Sequence, residues 1–202
     1  MTKRLMVGTV PVGGGAPVSI QSMCNTKTGD VEATVEQILR LEEAGCEIVR
    51  VAVPDLPAAR AIGAIRSRIH IPLVADIHFD YRLALECVDQ GVDKIRLNPG
   101  NIGGEDRVKA VADACRNSHV PIRIGVNGGS LEKELRQKYG GVTAQALVES
   151  ALGHVSLLNR FDFDDICISV KCSSVPLTVA AYRALSERCQ YPLPVSYTHL
   201  TL

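Results

Sequence analysis

The sequence has no tryptophan, and its three Phe and five Tyr bring aromatics to only 4% of 202 residues. Sites that read bases by stacking depend on aromatic faces, so an extended stacking platform is excluded. Charge of one sign is also missing: 22 Lys plus Arg balance 22 Asp plus Glu. That balance argues against a general binder of nucleic acid or of an anionic membrane. No apolar run reaches the roughly 20 residues of a membrane span. Met1 to Met6 carries Lys3 and Arg4 in place of the apolar stretch of a secretory signal. The seven cysteines (24, 46, 87, 115, 167, 172 and 189) are an odd number without a C-x-x-C pair. A disulfide framework is not expected in such a chain, so the thiols read as reduced and the compartment as cytoplasmic. Cys46, Cys87, Cys115 and Cys189 sit in apolar contexts and read as small buried hydrophobes. No His, Cys, Asp or Glu group has metal-ligand spacing, and no metal site is expected within the chain.

What is present is a repeat of short β-branched runs and longer helical patterns. Strands are expected at Val18–Met23, Glu47–Val53, Leu73–His78, Lys94–Asn98, Ile122–Asn127 and Asp165–Lys171. Helices are expected at Val31–Ala44, Ala58–Ser67, Tyr81–Gln90, Glu105–Asn117, Thr143–Asn159 and Leu177–Arg188, with Asp30 capping the first and Gly45 and Gly91 at helix ends. A βα unit of this length can cross over and return in parallel. Six in succession favour a (β/α)8 TIM-type barrel, here incomplete, with a disrupted seventh strand beginning near Tyr191-Pro192-Leu193. An open doubly wound sheet would more often carry Gly-x-Gly-x-x-Gly after its first strand, which is absent. The segment Val12-Gly13-Gly14-Gly15-Ala16-Pro17 reads as a hairpin or loop leading into the barrel.

Buried parallel strands are nearly all apolar, yet these end in polar residues: Arg50, Asp76 with His78, Arg96 with Asn98, Arg123 with Asn127, and Lys171. Residues two apart share a face, so each set points away from its apolar neighbours and towards the barrel mouth. Active sites of such barrels lie at that end. One arginine at a strand end is ordinarily a solvated or salt-bridged residue. Four cations from four strands would be destabilising without an anion. Asp76 offsets one of them, and the remainder point to a polyanion, for which a diphosphate suits the guanidinium fork. Asn98 and Asn127 add neutral donors, and Gly100 and Gly128-Gly129 allow backbone amides to approach phosphate oxygens. Lys94, Arg60, Arg66, Arg68, Arg107 and Lys109 read as solvated surface, and His70, His119 and His154 as structural.

Several longer strings then occur in a family order: Gln21-Ser22-Met23-Cys24-Asn25-Thr26, Cys46-Glu47-Ile48-Val49-Arg50-Val51, Ala75-Asp76-Ile77-His78-Phe79-Asp80, Lys94-Ile95-Arg96-Leu97-Asn98-Pro99-Gly100-Asn101 and Ile122-Arg123-Ile124-Gly125-Val126-Asn127-Gly128-Gly129. Together they resemble the barrel domain of the 4-hydroxy-3-methylbut-2-enyl-diphosphate synthase family of non-mevalonate isoprenoid biosynthesis, from about Val7 to Leu193. The resemblance implies an iron–sulfur oxidoreductase that reductively opens and dehydrates 2-C-methyl-D-erythritol 2,4-cyclodiphosphate. Flavodoxin or ferredoxin would supply the electrons through a [4Fe-4S] cluster. In the family a separate C-terminal domain holds that cluster by three Cys and one Glu, and caps the barrel of its homodimer partner. It also implies a diphosphate clamp of Arg50, Arg96, Arg123 and Lys171, assisted by Asn98 and Asn127, with Asp76 and His78 beside the carbon skeleton as catalytic groups. None of the seven cysteines matches the cluster-ligand motif. Residues 1–193 are therefore assigned to a partial barrel, and 194–202, which depart from the family pattern after Tyr191-Pro192-Leu193, are set apart as a non-family tail without a role for His199. A catalytically inactive fragment and a pterin-binding barrel of the dihydropteroate synthase type are the competing readings.

Overall fold

The structure is a computed structural model in which residues 2–195 are described. It opens with an antiparallel hairpin, β1 (Arg4–Val7) and β2 (Val10–Gly13), followed by six parallel strands: β3 (Gln21–Met23), β4 (Ile48–Ala52), β5 (Leu73–Asp76), β6 (Lys94–Leu97), β7 (Ile122–Asn127) and β8 (Ile166–Lys171). Helices α1 (Val31–Glu43), α2 (Leu56–Arg66), α3 (Tyr81–Asp89), α4 (Glu105–Asn117), α5 (Lys133–Lys138), α6 (Ala144–Asn159) and α7 (Val175–Arg188) lie between and after them. Spatial order equals chain order, β3-β4-β5-β6-β7-β8. A doubly wound sheet would reverse its order partway. This sheet never does, and it is an open TIM-type α/β barrel.

Local chemistry sets the helix starts. Asp30, Asp55, Asp80, Thr143 and Ser174 each accept a first-turn backbone N–H with the side chain. Two helices begin two residues earlier than expected, α2 at Leu56 and α7 at Val175, because Pro57 and Pro176 fall in the first turn. There the missing N–H breaks no helical bond. Gly45 and Gly91 follow α1 and α3 with φ of 89° and 80°, the left-handed conformation expected there. The short α5 was not expected: its sequence KELRQK buries no residue, so it leaves no apolar period to read. The first barrel strand is half the expected length, and Val18 is 95% exposed. β3 is a sheet edge, so residues before Gln21 have a partner on one side only. The expected seventh strand is a single ladder-like contact, Ile168 N–H donating to Pro192 O at 3.0 Å. Of residues 194–202 only Pro194 and Val195 are described, so the expectation for that tail, His199 included, lies outside the described residues.

The strands bury two different faces. Outward, Val49, Val51, Leu73, Ala75, Ile95, Leu97, Ile122, Ile124, Ile166 and Ile168 join the helices in one large core. Inward, at the strand starts, Ile48 and Val74 form a separate small cluster with Val7, Val10 and Val12 of the hairpin. The hairpin therefore plugs the bottom of the barrel. Val7→Ala removes two methyl-sized groups from a fully buried position and should destabilise the fold by on the order of 2 kcal/mol, read as a lower urea midpoint with unchanged slope.

Candidate functional site

Above the hairpin plug the inward face becomes charged. Register places Asp76 beside Arg96, Arg96 beside Arg123, and Asn127 beside Lys171. The Asp76 carboxylate is the hub: one oxygen accepts from Arg96 Nη1 at 2.9 Å and the other lies 3.6 Å from Arg50 Nε. Arg50 otherwise donates from Nε and Nη2 to the Met23 sulfur, at 3.2 and 3.0 Å. A thioether is only a weak acceptor. Arg123 is 3% exposed and donates Nε–H to Ser169 Oγ at 2.8 Å, a neutral partner. Burial lowers the Arg50 guanidinium from its usual value; Asp76 opposes this, while Arg123 and Arg96 reinforce it by repulsion. Burial likewise lowers Arg123.

These side chains surround a cavity of about 240 Å³ at the strand ends, which Asp76, His78, Asn127, Ser169 and Lys171 also line. Ordinary small-molecule sites run from roughly 300 Å³ upwards, so this one suits a small anionic headgroup. Gly125 leaves the Arg96 guanidinium its room: a Cβ on it would lie 2.4 Å from Arg96 Nε, so the guanidinium would have to move. The expected residues thus converge with two qualifications. His78 is exposed at the rim, past the end of β5. Asn98 and Asn127 each spend a carboxamide oxygen on the second amide of a tight turn, at Gly100 N and Gly129 N, both 3.0 Å. Only their NH2 groups remain as donors. Asn127 lines the cavity, whereas Asn98 is buried in the turn after β6. His154, read as structural, lies with Nε2 2.9 Å from Glu132 Oε1 and beneath Gly100, so it ties the loop after β7 to the loop after β6.

One expectation is corrected. Lys94 is not surface but 2% exposed, inside the barrel, two residues below Arg96 on the same face. Its Nζ has Gln21 Oε1 at 3.4 Å as a neutral contact, and burial lowers its pKa to about 8, with Arg123 and Arg50 reinforcing the shift and Cys167 opposing it. The signal was available, because the two-residue period that selected Arg96 selects Lys94 as well.

The cysteines do not make a metal centre among the described residues: no three His, Cys, Asp or Glu side chains gather. Burial raises the thiols of Cys24, Cys87 and Cys115 to about 11, 12 and 12, away from the thiolate form that ligates metals. The donor set among the described residues therefore does not fit an iron–sulfur cluster. Among the described residues no helix is long and apolar enough to cross a membrane.

Two outcomes follow from this geometry. Gly125→Ala should displace the Arg96 guanidinium from its contact with Asp76 and destabilise the fold by about 1.5–3 kcal/mol, the loss of one charge-assisted contact, in denaturant titration. Lys94 holds its proton less tightly folded than unfolded, so its charge penalises folding fully below pH 8 and the penalty fades between pH 8 and 10.5. Lys94→Met should accordingly stabilise the fold at pH 7, by on the order of 3 kcal/mol, with the gain shrinking as pH rises through that window in denaturant titrations.

Comparison with known proteins bears on the family and the fold. The family description "GcpE TIM-barrel domain" matches residues 2–200. A 4-hydroxy-3-methylbut-2-en-1-yl diphosphate synthase (flavodoxin) of Ruminiclostridium cellulolyticum is 61% identical over 197 residues, 98% of this chain and 56% of the relative. The enzyme of the same name from Geobacter sulfurreducens is 60% identical over the same shares. The chain thus spans just over half the length of these relatives. Among solved structures, dihydropteroate synthases are similar in fold. One from Yersinia pestis has a TM-score of 0.71 at 10% identity, covering 97% of this chain and 79% of that one. One from Xanthomonas albilineans has a TM-score of 0.67 at 15% identity, covering 96% and 77%. At that identity the likeness shows the barrel alone. By the match along nearly its whole length, the chain belongs to the GcpE TIM-barrel family.

Proposed function

We propose that this chain is the diphosphate-holding barrel of a 4-hydroxy-3-methylbut-2-en-1-yl diphosphate synthase, acting on 2-C-methyl-D-erythritol 2,4-cyclodiphosphate. The observation that carries the reading is the excess of buried and half-buried cations: Arg50 and Arg96 share one carboxylate, Asp76, and Arg123 meets the neutral Ser169 hydroxyl, around a headgroup-sized cavity. A bound diphosphate supplies the missing negative charge. Its oxygens would meet guanidinium forks already in place, with Lys171 and the Asn127 carboxamide at the upper rim and Asn98 bracing the adjoining turn.

In the overall reaction two electrons and two protons break the ring C–O bond to phosphate and release one oxygen as water. This chain's part is to hold the diphosphate and fix the carbon skeleton against Asp76 and His78. The reductive apparatus, a [4Fe-4S] cluster fed by flavodoxin or ferredoxin, is assigned to the rest of a full-length homodimeric enzyme. The names of the relatives, which include flavodoxin, support that division.

Calorimetric titration of the 202-residue chain with the cyclodiphosphate tests the clamp. Arg123→Ala should weaken binding by about 1.5–3 kcal/mol, roughly ten- to hundredfold, and flatten its salt dependence. Unchanged affinity would remove Arg123 from the clamp, and selective binding of a dihydropterin diphosphate would replace the substrate.

A further inference from the structure

Lys94 lies outside the cavity that holds the clamp. It lines a second, larger space of about 760 Å³ below, between β3, the hairpin and Pro192 to Val195. Arg50 and Arg123 line both spaces, so their side chains form the partition between them. The groups packed around Lys94 can be named element by element. β3 offers neutral Gln21, β4 offers apolar Ile48 and cationic Arg50, and β5 offers Val74, with Asp76 two residues higher. β7 offers Arg123, β8 offers the Cys167 thiol, and the hairpin is apolar at Val7 and Val12. Asp76, the carboxylate nearest along these strands, is already engaged by Arg96 and Arg50.

We propose that Lys94 is a proton-coupled fifth cation of the site, taking up a proton from solvent through the lower space when a diphosphate binds above the Arg50–Arg123 partition. The physical cause is mutual. In the free protein, two guanidinium groups above Lys94 and apolar walls beside it disfavour its charge. A bound dianion offsets most of that positive field from above. By linkage, an anion that raises the proton affinity of Lys94 must itself bind more tightly when Lys94 is protonated. The role is one of positioning charge, not of touching substrate, and it rests on the clamp reading only in needing an anion at that place.

The test is calorimetric titration of the 202-residue chain with the cyclodiphosphate, and separately with inorganic pyrophosphate, in buffers of different ionisation enthalpy. Starting from a lysine that titrates at about 8, uptake should rise from at most about a tenth of a proton per site at pH 7 to at most about half at pH 8. The apparent affinity should be flat below pH 7.5 or so and fall by up to about tenfold per pH unit above 8. Lys94→Met should abolish both the uptake and that slope with the cyclodiphosphate, whose phosphate oxygens do not titrate in this range, and remove the same increment with pyrophosphate, whose own titration adds to both, while Cys167→Ala should keep them. The Lys94 13Cε resonance of the unmutated chain, titrated with and without pyrophosphate, gives the same answer independently of any variant. Proton uptake that is undiminished in Lys94→Met with either anion, or follows Cys167, overturns the proposal and leaves the clamp standing. Binding of neither anion overturns both, whereas coupling with pyrophosphate alone upholds Lys94 and removes only the substrate assignment.

Discussion

A single buried carboxylate, Asp76, has to hold together an interior that contains more cations than it can neutralise. It reaches Arg96 and Arg50 directly and leaves Arg123 to a serine hydroxyl and Lys94 to a carboxamide. Like charges in a low-dielectric interior repel far more strongly than in water. The neighbouring chemistry separates and props them apart. Gly125 clears the space that the Arg96 guanidinium crosses, the Met23 sulfur receives the Arg50 fork, and Ser169 anchors Arg123 while donating to Ile124 O. The result is a set of donors fixed before any ligand arrives, and an anion meeting them has little reorganisation to drive.

The layering below is of a different kind. Barrels of this type fill their interiors with branched apolar side chains. This one keeps that pattern only at the bottom, where Ile48 and Val74 meet the hairpin's Val7, Val10 and Val12. Between that small cluster and the Arg50–Arg123 partition lies the lower space, which Lys94 lines. The hairpin bounds that space through Val12 and Gly13 and contributes no residue to the upper cavity.

Much of this was legible because strand geometry has a period of two. That rule alone assigned Arg50, Asp76, Arg96, Arg123 and Lys171 to the inner face, and register confirms that Asp76, Arg96 and Arg123 are neighbours. Lys94 obeys the same rule yet was read as surface, because a charged residue at a strand start is ordinarily solvated. What buries it is a long-range contact: the hairpin and Gln21 close over the strand starts, and no local pattern records that. Helix positions failed for a different reason. Pro57 and Pro176 look like breakers until the cap before each is recognised, and α5 has no apolar period at all.

The dihydropteroate synthases show how little of the site the scaffold itself dictates. They share the barrel at 10–15% identity, a level at which the path of the backbone is retained and inner-face side chains are free to differ. Outward-facing residues such as Val49, Ile95 and Ile124 need only be apolar and of suitable size to seat the helices. Inward-facing residues are constrained by one another instead. Gly125 matters only because Arg96 crosses it, and Arg96 is tolerable in the interior only because Asp76 receives it. The barrel accounts for where the strand ends converge; this interdependent charged set accounts for the charge they present there.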